Sequence, residues 1–144
     1  MVFRLVYSSK AVARIDDGEL RKILAKARSS NPQHDLTGLL LFYEGEFLQV
    51  LEGPKDAVEA LFKRISNDPR HVTVKRLDSR ETDKRLFGDW SMAYVPISAE
   101  QTRKVLGTGR FFGHFSPTEA GDEHTERLIQ FIVAMAEKMI KPRD

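Results

Sequence analysis

Two stretches of this chain repeat one apolar spacing. Leu20, Ile23, Leu24 and Ala27 fall at i, i+3, i+4 and i+7, and Val58, Leu61, Phe62 and Ile65 do the same. Each stripe predicts an amphipathic helix with one face to bury. Each also follows a strand-like run. Phe3-Arg4-Leu5-Val6-Tyr7-Ser8-Ser9 reads as a first strand, with Phe3, Leu5, Tyr7 and Ser9 on one face by period two. Asp16 or Asp17 can cap the first helix. Ser29-Ser30-Asn31-Pro32 stops it, because Pro32 disfavours helix at the residue before it. Leu36 to Tyr43 and Glu46 to Leu51, parted by Glu44-Gly45, predict a hairpin. Gly53-Pro54 opens the second helix, with Pro54 suited to its first turn, and Asn67-Asp68-Pro69 ends it. Val72 to Leu77 fits a fourth strand and Trp90 to Pro96 a fifth.

The order is β-α-β-β-α-β-β. Right-handed crossovers then put both helices on one face of a mixed sheet, with strands 1 and 3 adjacent at its centre. We therefore expect an α+β, ferredoxin-like domain over residues 1–97 and a C-terminal helical extension over residues 98–144. In the extension, Ser98 to Leu106 suits a short helix that Gly107-Thr108-Gly109 breaks. A last helix from about Asp122 to Ile140 carries apolar residues round more than one face, which calls for burial on the domain or a partner chain.

With 144 residues, one domain and an extension fit the length. A content of 41% hydrophobic and 31% charged residues is that of an ordinary folded protein. The absence of cysteine removes disulfides, thiolate metal sites and thiol nucleophiles together. Four scattered histidines, His34, His71, His114 and His124, have no metal-site spacing. A net charge of +2 is too small to argue for nucleic acid, and strand 3, Glu46 to Glu52, lacks the basic, aromatic pattern of an RNA-reading strand. The N-terminus lacks a signal-peptide core and no stretch approaches the ~18–20 apolar residues of a membrane span, so a cytoplasmic protein is expected. G-x-S-x-G, Walker, G-x-G-x-x-G and H-E-x-x-H motifs are missing, and an enzyme is not expected.

A helix-covered sheet face should be apolar, yet Tyr7, Ser9 and Gln49 share the phase of Phe3, Leu5, Phe47 and Leu51. A buried amide left unpaired costs about 1–3 kcal/mol, so something must satisfy Gln49. A Tyr7–Gln49 hydrogen bond that serves only the core is one answer. Asn31 ends helix 1, Arg64 and Asp68 lie at the end of helix 2, and Arg70 and His71 follow at once. Taken singly, these read as a cap and a solvated Arg64–Asp68 ion pair. Taken together with Gln49, they outline a slot between two helices, walled by Ile23 and Ile65 and rimmed with polar groups. A planar heteroaromatic with carbonyl and N–H edges would fill it. Trp90 and Met92 lie two apart on strand 5, as a core aromatic and its filler would.

Five segments in order resemble the BLUF domain family, the blue-light sensors using FAD, over about residues 2–96. They are Leu5-Val6-Tyr7-Ser8-Ser9, Asn31 ahead of Leu36-Thr37-Gly38, Phe47-Leu48-Gln49-Val50-Leu51-Glu52-Gly53, Asp68-Pro69-Arg70-His71 and Trp90-Ser91-Met92. The resemblance implies a non-covalently bound flavin between the two helices: FAD, with FMN or riboflavin as alternatives. Tyr7 resembles the photoactive tyrosine and Gln49 the switching glutamine. Asn31 resembles the residue that hydrogen-bonds the ring's polar edge, and Ile23 and Ile65 the pair that sandwiches the ring. The resemblance likewise implies flavin-binding positions for Ser9, Phe47, Arg64, Asp68, Arg70 and His71, and a signal relay for Trp90 and Met92. Ser30 stands where many members carry a second Asn or a His, and Pro32 stiffens the loop. Ring-edge affinity is where those departures would act.

The same resemblance implies a cycle in which excited flavin oxidises the Tyr7 phenol and recombination leaves the Gln49 amide rotated or tautomerised. A slight red shift follows, and strand 5 carries the change onward. The expected output is a homo-oligomer whose tail packs on the other sheet face or on another copy, and a separate effector protein. The rival readings are a ferredoxin-like module sensing a colourless metabolite, and a small hydrolase or flavin reductase. Visible colour and NADH oxidation separate them.

Overall fold

A computed structural model describes residues 1–43, 45–88 and 91–96. Five strands, β1 (Val2–Ala11), β2 (Thr37–Tyr43), β3 (Glu46–Gly53), β4 (His71–Thr82) and β5 (Ala93–Pro96), form one sheet in the order β4-β1-β3-β2-β5. Helix α1 (Asp17–Ser30) links β1 to β2, and helix α2 (Lys55–Ser66) links β3 to β4. Each crossover spans one intervening antiparallel strand, so β1 and β3 meet at the centre as the element order requires. The β2–β5 pair is parallel and the other three are antiparallel, which makes the sheet mixed.

Local chemistry sets the element ends. Asp16 caps α1, its carboxylate accepting from the Glu19 amide at 2.8 Å. The chain leaves α1 through a 3₁₀ turn, Asn31–His34, that begins at the expected Asn31-Pro32 stop. Pro54 sits one position earlier than its predicted first-turn place, as the α2 N-cap in extended conformation. Gly45 turns the β2–β3 hairpin at φ 80°, a conformation open to glycine. At Gly38 a Cβ would lie 2.1 Å from the Val50 carbonyl oxygen, so only glycine lets β2 lie this close to β3.

Two strand boundaries differ from the expected ones by more than two residues. β4 runs on to Thr82 because it pairs along nearly the whole of β1, from Ala11↔His71 to Val2↔Thr82. Its outer half is polar, with Arg80 and Asp78 ion-paired at 2.8 Å, so no apolar alternation marked it. β5 begins at Ala93, opposite Leu39, rather than at Trp90. Met92 thus precedes the strand. Trp90 and the expected extension over residues 98–144 lie outside the described residues.

The core lies between the helices and one sheet face. Phe3, Leu5, Tyr7, Phe47 and Leu51 pack there with Leu20 and Leu24 of α1 and Val58 of α2. Val6, Leu39, Leu41, Leu48 and Val50, which alternate with them, are buried as well.

Candidate functional site

Tyr7 and Gln49 are direct cross-strand partners on β1 and β3, and both side chains are buried under the helices. A register shift in the β1–β4 ladder falls between Val6 and Tyr7 and another between Ser8 and Lys10, where irregular pairing re-aims side chains. Tyr7 Oη donates a hydrogen bond to Gln49 Oε1. Burial pushes the phenol far above its ordinary range, so the hydroxyl stays protonated and acts as the donor. Its proton fixes the amide: with Oε1 toward Tyr7, Gln49 Nε2 points to Met92 Sδ at 3.4 Å. The result is a three-residue chain, Tyr7–Gln49–Met92, at the floor of the helix-covered layer.

A cavity of about 280 Å³ opens above that chain. Ile23 and Ala27 of α1 and Leu61 and Ile65 of α2 face each other across it. Tyr7, Phe47, Gln49 and Met92 line its floor, and Asn31, Arg64, Asp68, Arg70 and His71 complete the wall. Its volume lies just under the roughly 300–1,000 Å³ of small-molecule sites, enough for a planar ring system with the rest of a ligand outside.

Asn31 is buried, and its Nδ2 donates to the Ser91 carbonyl at 2.6 Å. Asn31 also lines the cavity. His71 Nδ1 lies 2.9 Å from Ser9 Oγ, and its ring packs on Phe47 at 5.0 Å between centroids. Burial lowers the His71 pKa, chiefly against the pull of Asp68, so the ring is neutral at pH 7. Ser9 therefore stands behind His71 rather than in the cavity wall. Asp68 does not pair with Arg64. Its carboxylate accepts from the Arg70 backbone N–H at 2.9 Å and from the Arg70 guanidinium at 2.7 Å, which holds it at a pKa of about 2. The turn after α2 brings Arg70 round to it, leaving Arg64 exposed at the cavity rim.

Phe62, one of the second helix stripe, packs beside Tyr7 with ring centroids 5.3 Å apart, and the Arg76 guanidinium lies 4.9 Å from its ring centre. Other residues that matter here gave little sequence signal. Arg28 Nε donates to the Met92 carbonyl at 2.9 Å, although a last-turn arginine reads as a helix-dipole partner. Glu52, fully buried on the opposite sheet face, accepts from the Leu86 and Phe87 amides at 2.8 and 2.7 Å. Burial raises its pKa, while those two amides and the nearby Arg4 and Arg85 pull it down in part. In sequence it has no role beyond its place at the end of strand 3 and in the family-like segment.

Among the described residues, no group of three or more His, Asp or Glu side chains could hold a metal ion, and no helix is long and apolar enough to cross a membrane.

A ferredoxin-like sandwich with a ring-sized slot over a buried Tyr–Gln pair defines a class of ligand-binding sensor domain. The family model "BLUF: Sensors of blue-light using FAD" matches residues 2–93. The photoactivated adenylate cyclase subunit beta of Euglena gracilis is 38% identical over 89 residues, which are 61% of this chain and 10% of that protein. The blue light- and temperature-regulated antirepressor BluF of Escherichia coli (strain K12) is 32% identical over 120 residues, 77% of this chain and 29% of that protein. The solved structure of BlsA in its photo-activated state superposes with a TM-score of 0.78 at 29% identity, covering 100% of this chain and 99% of that one. The chain belongs to the BLUF family, whose members sense blue light with a bound flavin. It spans only a small part of the length of the curated relatives.

Proposed function

We propose that this protein is a blue-light photoreceptor in which Tyr7 and Gln49 form the light-driven switch and Met92 receives its output. The observation that carries this reading is the Tyr7 Oη to Gln49 Oε1 hydrogen bond, continued by Gln49 Nε2 to Met92 Sδ, on the floor of a ring-sized cavity. The residues fit a flavin. Ile23 and Ile65 supply apolar walls for its two faces, Asn31 and Gln49 supply polar groups for its edge, and Phe47, Arg64, Asp68, Arg70 and His71 complete the enclosure, with Ser9 orienting His71. FAD is the expected form, its outer part lying at the mouth, where Lys22, Lys26 and Arg64 bring positive charge.

A bound flavin supplies a strong oxidant when it absorbs blue light. Tyr7 gives up an electron and its phenolic proton, and Gln49 Oε1 is the acceptor in place to take that proton. Return of both restores Tyr7 and leaves the Gln49 amide rearranged. A rearranged amide offers its N–H elsewhere and withdraws it from the Met92 sulfur. Two packings of similar energy make such a contact bistable. Met92 and Trp90 then pass the change to the C-terminal extension, which packs on the other sheet face or on a second copy of the chain and alters binding to a separate effector protein. Support for an effector comes from the relatives, whose names join light sensing to a cyclase and to an antirepressor. Removal of residues 116–144 is expected to leave the spectral cycle intact and abolish assembly, as read by light scattering.

The first test is the visible absorbance of the purified protein in the dark and directly after blue light. A flavin spectrum that moves slightly to the red without bleaching, and recovers in the dark, is expected. A protein that stays colourless with excess flavin, or a bound flavin that bleaches or stays inert, overturns the switch.

A further inference from the structure

Ser91 and Met92 are the two residues before β5, and their carbonyls fall ahead of the first β2–β5 pair at Leu39↔Ala93. Helix α1 fills that place. Asn31 Nδ2 takes the Ser91 carbonyl at 2.6 Å, and Arg28 Nε takes the Met92 carbonyl at 2.9 Å. Met92 is therefore held at both ends: through its sulfur by Gln49, and through its carbonyl by Arg28. Arg28 is an exposed residue with a long side chain, and fixing such a chain costs on the order of 1.5–2 kcal/mol of rotamer freedom. A charged donor on a backbone carbonyl is the kind of contact that offsets this cost.

We infer that Arg28 is a positioning residue that clamps the Ser91–Met92 backbone to α1, so that Met92 returns to its seat when Gln49 takes it up again. This inference rests on the photoswitch reading above. When the Gln49 amide rearranges, Met92 loses its side-chain anchor, and the Arg28 and Asn31 bonds become the contacts that keep the segment beside the cavity. Asn31 lines the cavity, whereas Arg28 stands outside its wall. The clamp can therefore be removed without touching a cavity-lining side chain. Without it the segment must be reordered at each recovery, and the return to the dark state slows.

The test compares the full-length flavin-bound protein with its Arg28→Ala and Arg28→Lys variants in two measurements. Hydrogen exchange in the dark at the amides of residues 91–95 is expected to quicken about threefold to tenfold in Arg28→Ala, the span given by one hydrogen bond of ordinary net strength. The β1–β3 amides should be unchanged, which shows that the sheet is intact. Dark recovery after blue light should slow by about the same factor with the red shift preserved. Lysine, which can still reach the carbonyl, should restore part of both effects. Unchanged exchange in Arg28→Ala overturns the clamp, whatever light does. Quicker exchange with unchanged or faster recovery overturns its link to the switch. A parent protein with no light-induced shift fails the photoreceptor reading instead, and the dark exchange still decides the clamp.

Discussion

Two buried polar residues three apart on β3 have opposite surroundings. Gln49 faces the helices and is neutral, with one N–H spent on a soft sulfur at 3.4 Å. Glu52 faces the other side and can carry a charge, and it is bound by two backbone amides at 2.7 and 2.8 Å beside Arg4 and Arg85. Arg85 extends that anchor, donating to Thr37 Oγ1 at 2.9 Å and to the Asp35 carbonyl at 2.8 Å. The Gln49 partners are side chains that can be exchanged at small cost. Those of Glu52 are backbone amides fixed in the chain that follows β4. One strand thus carries a contact suited to switching on one face and a lock on the other, and the lock holds the connection that leads to Met92.

The largest expected effect breaks the first half of that contrast. Tyr7→Phe with Gln49→Leu should abolish the red shift completely while the protein stays yellow, as read by light-minus-dark absorbance. Because both partners become apolar together, urea unfolding should place the double variant within about 1 kcal/mol of the parent. Glu52→Leu should do the reverse. It takes the acceptor from the buried Phe87 amide, at about 1–3 kcal/mol, and from the part-buried Leu86 amide, so the urea midpoint falls. Its light response should survive at temperatures where the variant is folded. A Glu52→Leu protein as stable as the parent would show that the lock is ornamental.

The sequence made the switching side of this contrast more legible than the locked side. Tyr7 and Gln49 stood out because polar groups broke an apolar alternation, and the register then placed them directly opposite each other. The helices were equally plain, since their stripes and stops are local. Arg28, Glu52 and Arg85 were not legible in the same way. Each has backbone partners, 64, 34 or 35, and 50 residues away, and backbone groups carry no residue-type signal. The outer half of β4 was missed for a related reason: an edge strand stabilised by pairing to β1 needs no apolar face. The ion pair of Asp68 went to Arg70 instead of Arg64 because turn geometry, which spacing alone does not specify, decided it.

Acidity sharpens the contrast further, because the two faces titrate in opposite senses. His71, packed against Phe47 and Ser9 with Asp68 and Arg70 nearby, has its pKa lowered from the ordinary 6.5. Its contribution to stability is present above 6.5 and is lost as pH falls through the lowered value. The pKa of Glu52 is raised from 4.5, so its contribution is full below 4.5 and is lost as pH rises through the raised value. Asp68, lowered from 3.8 to about 2, adds stability above 3.8 that disappears as pH falls through about 2. Between the ordinary Glu and His values the first two groups oppose each other. Stability measured by urea across that window should therefore fall with rising pH in His71→Asn and climb with rising pH in Glu52→Gln. The same slope in both variants would remove the opposition.

The smallest effect concerns the support of Tyr7 itself. Arg76 lies 4.9 Å from the Phe62 ring centre and binds Glu59 in two places, at 2.7 and 2.9 Å, while Phe62 packs on Tyr7. Both members of the ion pair are about one-third exposed, so water and salt weaken it. A pair of this kind contributes about 0.2–1 kcal/mol, with a cation–ring contact adding about 0.5–1 kcal/mol. Arg76→Ala should thus lower stability by about 1 kcal/mol, and the loss should shrink in high salt. Phe62 keeps its own place on the helix stripe, so the Tyr7–Gln49 bond and the red shift should be unaffected. A changed red shift in Arg76→Ala would mean that the switch reaches through Phe62 to the surface of α2, and Gln49 would then have a second route outward besides Met92.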